Sequence, residues 1–231
     1  MATEPEFKGD KKKPINSITG ALEQRLNRST IEWVPNWIEG YHLTLMTIPW
    51  SVGLIYFGHL AQGNLNWLWA SSLMIFMHWF TDSYDGALGR LRDTGIPKWG
   101  YYMDHFLDFV LLCAILIGYS FLFGDENIRN VFLIMAIVVG FMMNSYISFA
   151  ATTEFKISFL GMGPTEGRLL FILFNAYLIY FGVDGVQRYL VWAIPVLLVG
   201  LVVVVYRTGK YIWGVDMGDK AARIRGEEDG K

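Results

Sequence analysis

Residues 82–108 of this chain read DSYDGALGRLRDTGIPKWGYYMDHFLD. Asp82 and Asp85 lie three apart and Asp104 and Asp108 four apart, so on helices each pair shares one face. Between them RLRDTGIPKW carries Gly95 and Pro97, a loop short enough to make the two helices antiparallel neighbours. Four carboxylates can then converge between adjacent helix ends. An aspartate at mid-bilayer costs about 2.5–3.5 kcal/mol, so even at half that the set would cost several kcal/mol without compensation. A pair of divalent cations is the economical compensation. Oxygen-only ligands favour magnesium, manganese or calcium over zinc. Two such ions suit phosphoryl chemistry, where they clamp attacking and leaving oxygens. Gly86, Gly89 and Gly100 remove side chains beside the carboxylates, and Arg90 is placed to reach a diphosphate as a bidentate donor. Taken one at a time, these residues also fit a solvated helix end with packing glycines. As a set that reading is poor.

The elements that must position these residues are hydrophobic helices. The chain has 231 residues, 53% of them hydrophobic and 17% charged, which is more apolar than a soluble domain needs. A net charge of −2 offers no nucleic-acid surface, and a single cysteine, Cys113, excludes disulfides and thiolate metal sites within one chain. The first forty residues are polar and show no cleavable signal peptide. Six stretches have the length and apolarity of bilayer spans: Tyr41–Ala61, Trp67–Arg90, Gly100–Phe123, Val131–Ala151, Arg168–Val183 and Tyr189–Tyr206. The expected fold is therefore all-α, a polytopic membrane protein with six transmembrane helices. Residues 1–40 form a cytoplasmic segment, 41–207 the catalytic domain and 208–231 a polar, mobile cytoplasmic tail.

Ile18, Leu22 and Leu26, with Glu23, Arg25 and Arg28 between them, suggest an amphipathic helix on the membrane surface, with Trp33 and Trp37 at headgroup level. A disordered arm with chance periodicity is the plainer alternative. With a cytoplasmic N-terminus, 17 of the 19 lysines and arginines fall on the cytoplasmic side and only Arg129 and Arg188 outside. Both termini and the aspartate segment are then cytoplasmic, in a plasma or inner membrane.

At this point the segment resembles the CDP-alcohol phosphotransferase family, whose motif is D-x-x-D-G-x-x-A-R, a spacer of about eight residues, then G-x-x-x-D-x-x-x-D. This chain has Asp82, Asp85, Gly86, Arg90, a spacer of nine, Gly100, Asp104 and Asp108, with Gly89 where the family has alanine. VPNWIEGYHLTL is similar to the family's approach to its first helix, so the resemblance runs from Trp33 to Arg207. It implies six transmembrane helices, often in homodimers, that move a phosphoalcohol from a CDP-linked donor to a hydroxyl acceptor and release CMP. It implies two divalent ions, Mg2+ or Mn2+, on Asp82, Asp85, Asp104 and Asp108. Gly86, Gly89, Arg90 and Gly100 would border the donor, and Asp108 would be the general base.

His105 competes with Asp108 for that role; it can equally be a group that orients the base or a packing residue. An Asp-His pair here resembles the branch that donates from CDP-choline or CDP-ethanolamine to diacylglycerol. The six-span length favours the other branch, with CDP-diacylglycerol as donor and a small polar alcohol as acceptor, and that branch is preferred. Thr44 and His42 could line the nucleotide pocket or merely join helices. Glu166 and Arg168 could contact the acceptor, or Arg168 could be an ordinary positive-inside arginine. Asn144 and His78 read as helix-joining and core residues, His78 also as a partner for the aspartates. A cation transporter could keep buried aspartates too, but it would not need Gly86, Arg90 and Gly100 at these intervals.

Overall fold

The computed structural model describes residues 30–152 and 164–229. All regular structure among them is helical. After a 3-10 turn at Ile31–Trp33 come α1 (Gly40–Leu45) and α2 (Thr47–Leu60), joined through Met46. A second 3-10 turn, Leu65–Trp67, leads into α3 (Leu68–Arg92), followed by α4 (Pro97–Ser120), α5 (Asp125–Thr152), α6 (Pro164–Phe181) and α7 (Asp184–Asp229).

Local chemistry explains the boundaries. Glu39 and His42 close a capping box on α1: the Glu39 side chain accepts the His42 N–H, and His42 Nδ1 accepts the Glu39 N–H at 3.0 Å. Asn64 caps the turn before α3 by accepting the Asn66 N–H. α3 stops at Asp93, which takes a left-handed φ of 54° and donates its N–H to the Gly89 carbonyl. Pro97 then occupies the first turn of α4, where its missing N–H costs nothing. Gly182, at φ 76°, ends α6 and turns the chain into α7.

α3 is the central helix. Its buried positions Leu68, Ser71, Ser72, Ile75, His78, Thr81, Tyr84, Leu88 and Gly89 recur at helical spacing. It packs against α1, α2 and α6; α2 also packs against α4, and α5 lies against α4 and α7. Sequence spacing predicts α3 and α4 as close antiparallel neighbours. They are antiparallel, but their backbones do not pack along one another. A short loop fixes direction, not separation, and α2 packs on both helices.

The described residues form two hydrophobic cores. The larger is built from Leu54, Ile75, Leu111, Ile115, Tyr119 and Leu178 with their neighbours. There α2 and α4 cross at Gly58 and Gly118, so closely that a Cβ on Gly58 would lie 2.5 Å from the Gly118 Cα. The smaller core, Ile31, Tyr84 and Leu88, holds the lead-in segment against the end of α3.

Among the described residues, four helical stretches are long and apolar enough to cross a membrane: Gly40–Leu60, Pro97–Ser120, Asp125–Thr152 and Asp184–Arg225. The other two stretches expected as spans form α3 and α6, and both carry charged site residues that dilute their apolarity. The amphipathic segment around Ile18, Leu22 and Leu26 lies outside the described residues, as does Lys156. The expected mobile tail from 208 differs: α7 continues through it to Asp229, so polarity alone marks where a span would end.

Candidate functional site

The crevice between α3 and α4 holds the aspartates. Asp82 and Asp85 project from α3 and Asp104 from α4, and one carboxylate oxygen from each lies within 4.8 Å of the others. Oxygens around one hard divalent cation are separated by at most about twice the metal–oxygen distance, roughly 4–5 Å. The donor set therefore fits a magnesium-, manganese- or calcium-type ion. Three anionic oxygens without a nitrogen or sulfur ligand favour that class over zinc.

Asp108, the fourth aspartate expected as a ligand, lies beside this group rather than within it. Its Oδ1 accepts from Arg168 Nη2 at 3.1 Å and sits 3.5 Å from His78 Nε2. Arg168 reaches in from the first turns of α6, and its Nη1 donates to Asp82 Oδ2 at 2.6 Å. One guanidinium thus bridges a carboxylate of α3 and a carboxylate of α4. His78, one turn before Asp82, is only 1% exposed.

Asp85 is oriented from the opposite side. Thr44 Oγ1 donates to Asp85 Oδ2 at 2.7 Å, and the Gly86 N–H donates to Asp85 Oδ1. Thr44 gets there because Gly40, one turn earlier on α1, has no side chain: a Cβ at Gly40 would lie 2.6 Å from the Asp85 carbonyl oxygen. Sequence spacing leaves Thr44 either lining a nucleotide pocket or joining helices, and it gives no role to Gly40; the bond to Asp85 joins α1 to α3. The spacing G-x-x-x-T ahead of a buried aspartate was the available signal.

The other expected site residues divide. Gly86 and Arg90 stand together, since the Arg90 guanidinium folds back to 3.3 Å from where a Gly86 Cβ would be. Gly100 faces open space, with nothing within 4 Å of a Cβ built there. Gly89, in contrast, packs against Gly95 of the connecting loop, 3.2 Å from a Cβ position, and its carbonyl accepts the Thr94 N–H. It closes the turn after α3 rather than lining the crevice. His105 points its Nδ1 at the Tyr101 carbonyl, 2.8 Å away, and its ring packs on Tyr101 and Tyr146. The Tyr146 hydroxyl donates to the His105 carbonyl at 3.0 Å. His42 is used in the α1 cap, and Glu166 lies on the first turn of α6, two residues before Arg168. Asn144 joins α5 to α7 through Thr208 at 3.2 Å, the helix-joining role its sequence setting suggests.

A clamp outside the crevice keeps α1 in position. Arg92 donates to the carbonyls of Val34 at 2.7 Å, Pro35 at 3.3 Å and Ile38, and Thr94 Oγ1 donates to Glu39 Oε2 at 2.6 Å. The hydroxyls of Thr30 and Tyr84 are also paired. The sequence gives no sign that Arg92, two residues past Arg90, serves the lead-in segment.

Asp82, Asp85 and Asp104 thus form a cluster of carboxylates whose spacing could hold a hard cation, between α3 and the start of α4. Residues 33–206 match the family model described as CDP-alcohol phosphatidyltransferase. No curated protein and no solved structure matches the chain. The match covers most of its length, and the chain belongs to the CDP-alcohol phosphatidyltransferase family. Its members are transferases that move a phosphoalcohol group from a CDP-alcohol.

Proposed function

We propose that this family member is a divalent-metal-dependent phosphatidyltransferase of phospholipid synthesis, taking CDP-diacylglycerol as donor and a small polar alcohol as acceptor. The observation that carries the reading is the convergence of Asp82, Asp85 and Asp104 at the open end of the α3–α4 crevice. Together with Asp108 they would hold two ions, Mg2+ or Mn2+. When bound, these supply neutralisation of the donor diphosphate and of the departing CMP.

The chain's own residues do the rest. Arg90, folded over Gly86, offers guanidinium donors to the diphosphate, and the bare surfaces of Gly86 and Gly100 admit its bulk. Asp108 takes the proton of the acceptor hydroxyl as its oxygen bonds to phosphorus; the bond from phosphorus to CMP breaks and CMP carries away that electron pair. Arg168 and His78 meet Asp108 at Oδ1, which leaves Oδ2 as the natural proton acceptor. Glu166 and Arg168, on the first turns of α6, would contact the acceptor, with Arg168 suited to an anionic group. His105 remains the competing base, through Nε2; its Nδ1 contact with Tyr101 and its two tyrosine neighbours support a packing role instead.

The charge distribution supports cytoplasmic termini and a cytoplasmic site, and six spans follow if α3 and α6 cross beside the four more apolar stretches. The family resemblance adds a homodimer to this reading.

The test is CMP release from the purified full chain in nanodiscs, with Mg2+ or Mn2+. CDP-diacylglycerol, CDP-choline and CDP-ethanolamine are each offered against a panel of hydroxyl acceptors. Release from CDP-diacylglycerol alone, lost in Asp108→Asn and kept in His105→Gln, is expected. Release only from CDP-choline or CDP-ethanolamine would replace this donor with the aminoalcohol branch. Metal binding or flux without CMP release from any pair would point to a cation carrier.

A further inference from the structure

Arg168 holds a position the reaction described above does not require of an acceptor-binding residue. Its guanidinium is directed into the aspartate cluster, with both terminal nitrogens engaged by carboxylates from different helices. Its side chain is 10% exposed, and those of Asp82 and Asp108 are 24% and 27% exposed. Each of these bonds is charge-assisted and stronger than a neutral one, and Arg168 cannot give up its charge. Asp82 is also one of the three residues of the carboxylate cluster. Asp82 is therefore shared between an arginine and a candidate ion site, and α3 and α4 are tied at this point through Arg168.

We infer that Arg168 is a resident counter-cation that competes with divalent metal for Asp82 and Asp108. In the metal-free protein its single positive charge is shared between two of the four carboxylates and ties α3 to α4. A divalent ion on Asp82, Asp85 and Asp104 weakens the Arg168–Asp82 bond, because two cations then draw on one carboxylate. An ion that also recruits Asp108, through the Oδ2 that Arg168 leaves open, weakens the guanidinium's second bond in the same way. Arg168 then sets how tightly metal is held and is freed for an anionic substrate group only once metal is in place. This makes it a positioning residue acting through the aspartates. The inference rests on the metal reading of the preceding subsection.

The experiment needs no substrate. The full chain and its Arg168→Gln and Arg168→Lys variants, in nanodiscs, are titrated with Mn2+ while free ion is followed by electron paramagnetic resonance. Thermal unfolding is recorded with and without Mn2+. For Arg168→Gln we expect Mn2+ affinity to rise by about tenfold or more. Its metal-free form should melt below wild type, and added Mn2+ should raise its melting temperature by more than it raises that of wild type. Arg168→Lys, which keeps the charge but not the fork, should fall between the two, and it decides the matter if Arg168→Gln does not fold. Affinity equal to or weaker than wild type in the folded variants overturns the competition. Wild-type protein that binds no Mn2+ sinks the metal reading itself, and with it this inference.

Discussion

Helix α6 inserts two polar side chains into the bundle, and the bundle treats them oppositely. Arg168 and Asn175 are seven residues apart, two turns along one face, and each touches both α3 and α4. Around Asn175 everything is neutral and closed. Tyr119 donates to Asn175 Oδ1 at 2.7 Å, and Asn175 Nδ2 donates to Ser72 Oγ at 3.0 Å and the Leu68 carbonyl at 3.4 Å. The residue is fully buried beside the Gly58–Gly118 crossing and Leu178. Around Arg168 the groups are charged, and carboxylates from α3 and α4 converge on one guanidinium. The difference follows from spacing. Where two glycines let α2 and α4 meet, Asn175, Tyr119 and Ser72 bond one another and lock the helices. Where the backbones are held apart, the carboxylates keep unmet demand for positive charge, and that demand is what a catalyst for phosphates can use.

The strongest way to break this contrast is Asp85→Asn. CMP release should fall by about a thousandfold, equivalent to about 4 kcal/mol of transition-state stabilisation. The melting temperature should hold or rise, because a costly charge is removed; activity within tenfold of wild type would deny the crevice its chemical role. Next comes Gly40→Ala, whose Cβ cannot share space with the Asp85 carbonyl and must push α1 and Thr44 away. Mn2+ affinity should drop by about 10- to 100-fold, as for other residues that orient metal ligands, and Thr44→Val should reproduce the loss. Titration of Mn2+ in nanodiscs reads both.

The closed end should respond in stability instead. Gly58→Ala forces the α2–α4 crossing open and should cost about 1–3 kcal/mol in thermal or denaturant unfolding. The smallest effect is expected from Asn175→Leu. Bonds of this kind between membrane helices average less than about 1 kcal/mol, so a fall of about that size is anticipated, with CMP release per folded molecule preserved. Were Asn175→Leu to abolish turnover without unfolding the chain, the two ends could not be separate systems.

Much of this was legible without coordinates, for physical reasons that particular residues illustrate. Asp82/Asp85 and Asp104/Asp108 declare shared helix faces through spacing alone, and the apolar stretches around them declare helices because bilayer length and hydropathy are local properties. Gly86 with Arg90, and Gly100 as open surface, follow from the same short-range pattern. Gly89 misled because a glycine's use depends on what approaches it, and here that is Gly95 of its own loop. His42 uses its Nδ1 in the cap of its own helix, a local structural role. Gly40, Arg92 and the Asn175–Tyr119–Ser72 group could not be ranked by spacing, since their partners lie dozens of residues distant.

The sequence by itself determined an all-helical chain, the family and the four carboxylates at one end of two helices, because periodicity, composition and a compact motif are written within a few turns. Only the tertiary structure decided how those carboxylates are divided. Asp82, Asp85 and Asp104 group together, while Asp108 meets Arg168, brought in by α6, and His78 of α3. Charge is fixed by residue type; which charges share a site is fixed by the distances that packing sets.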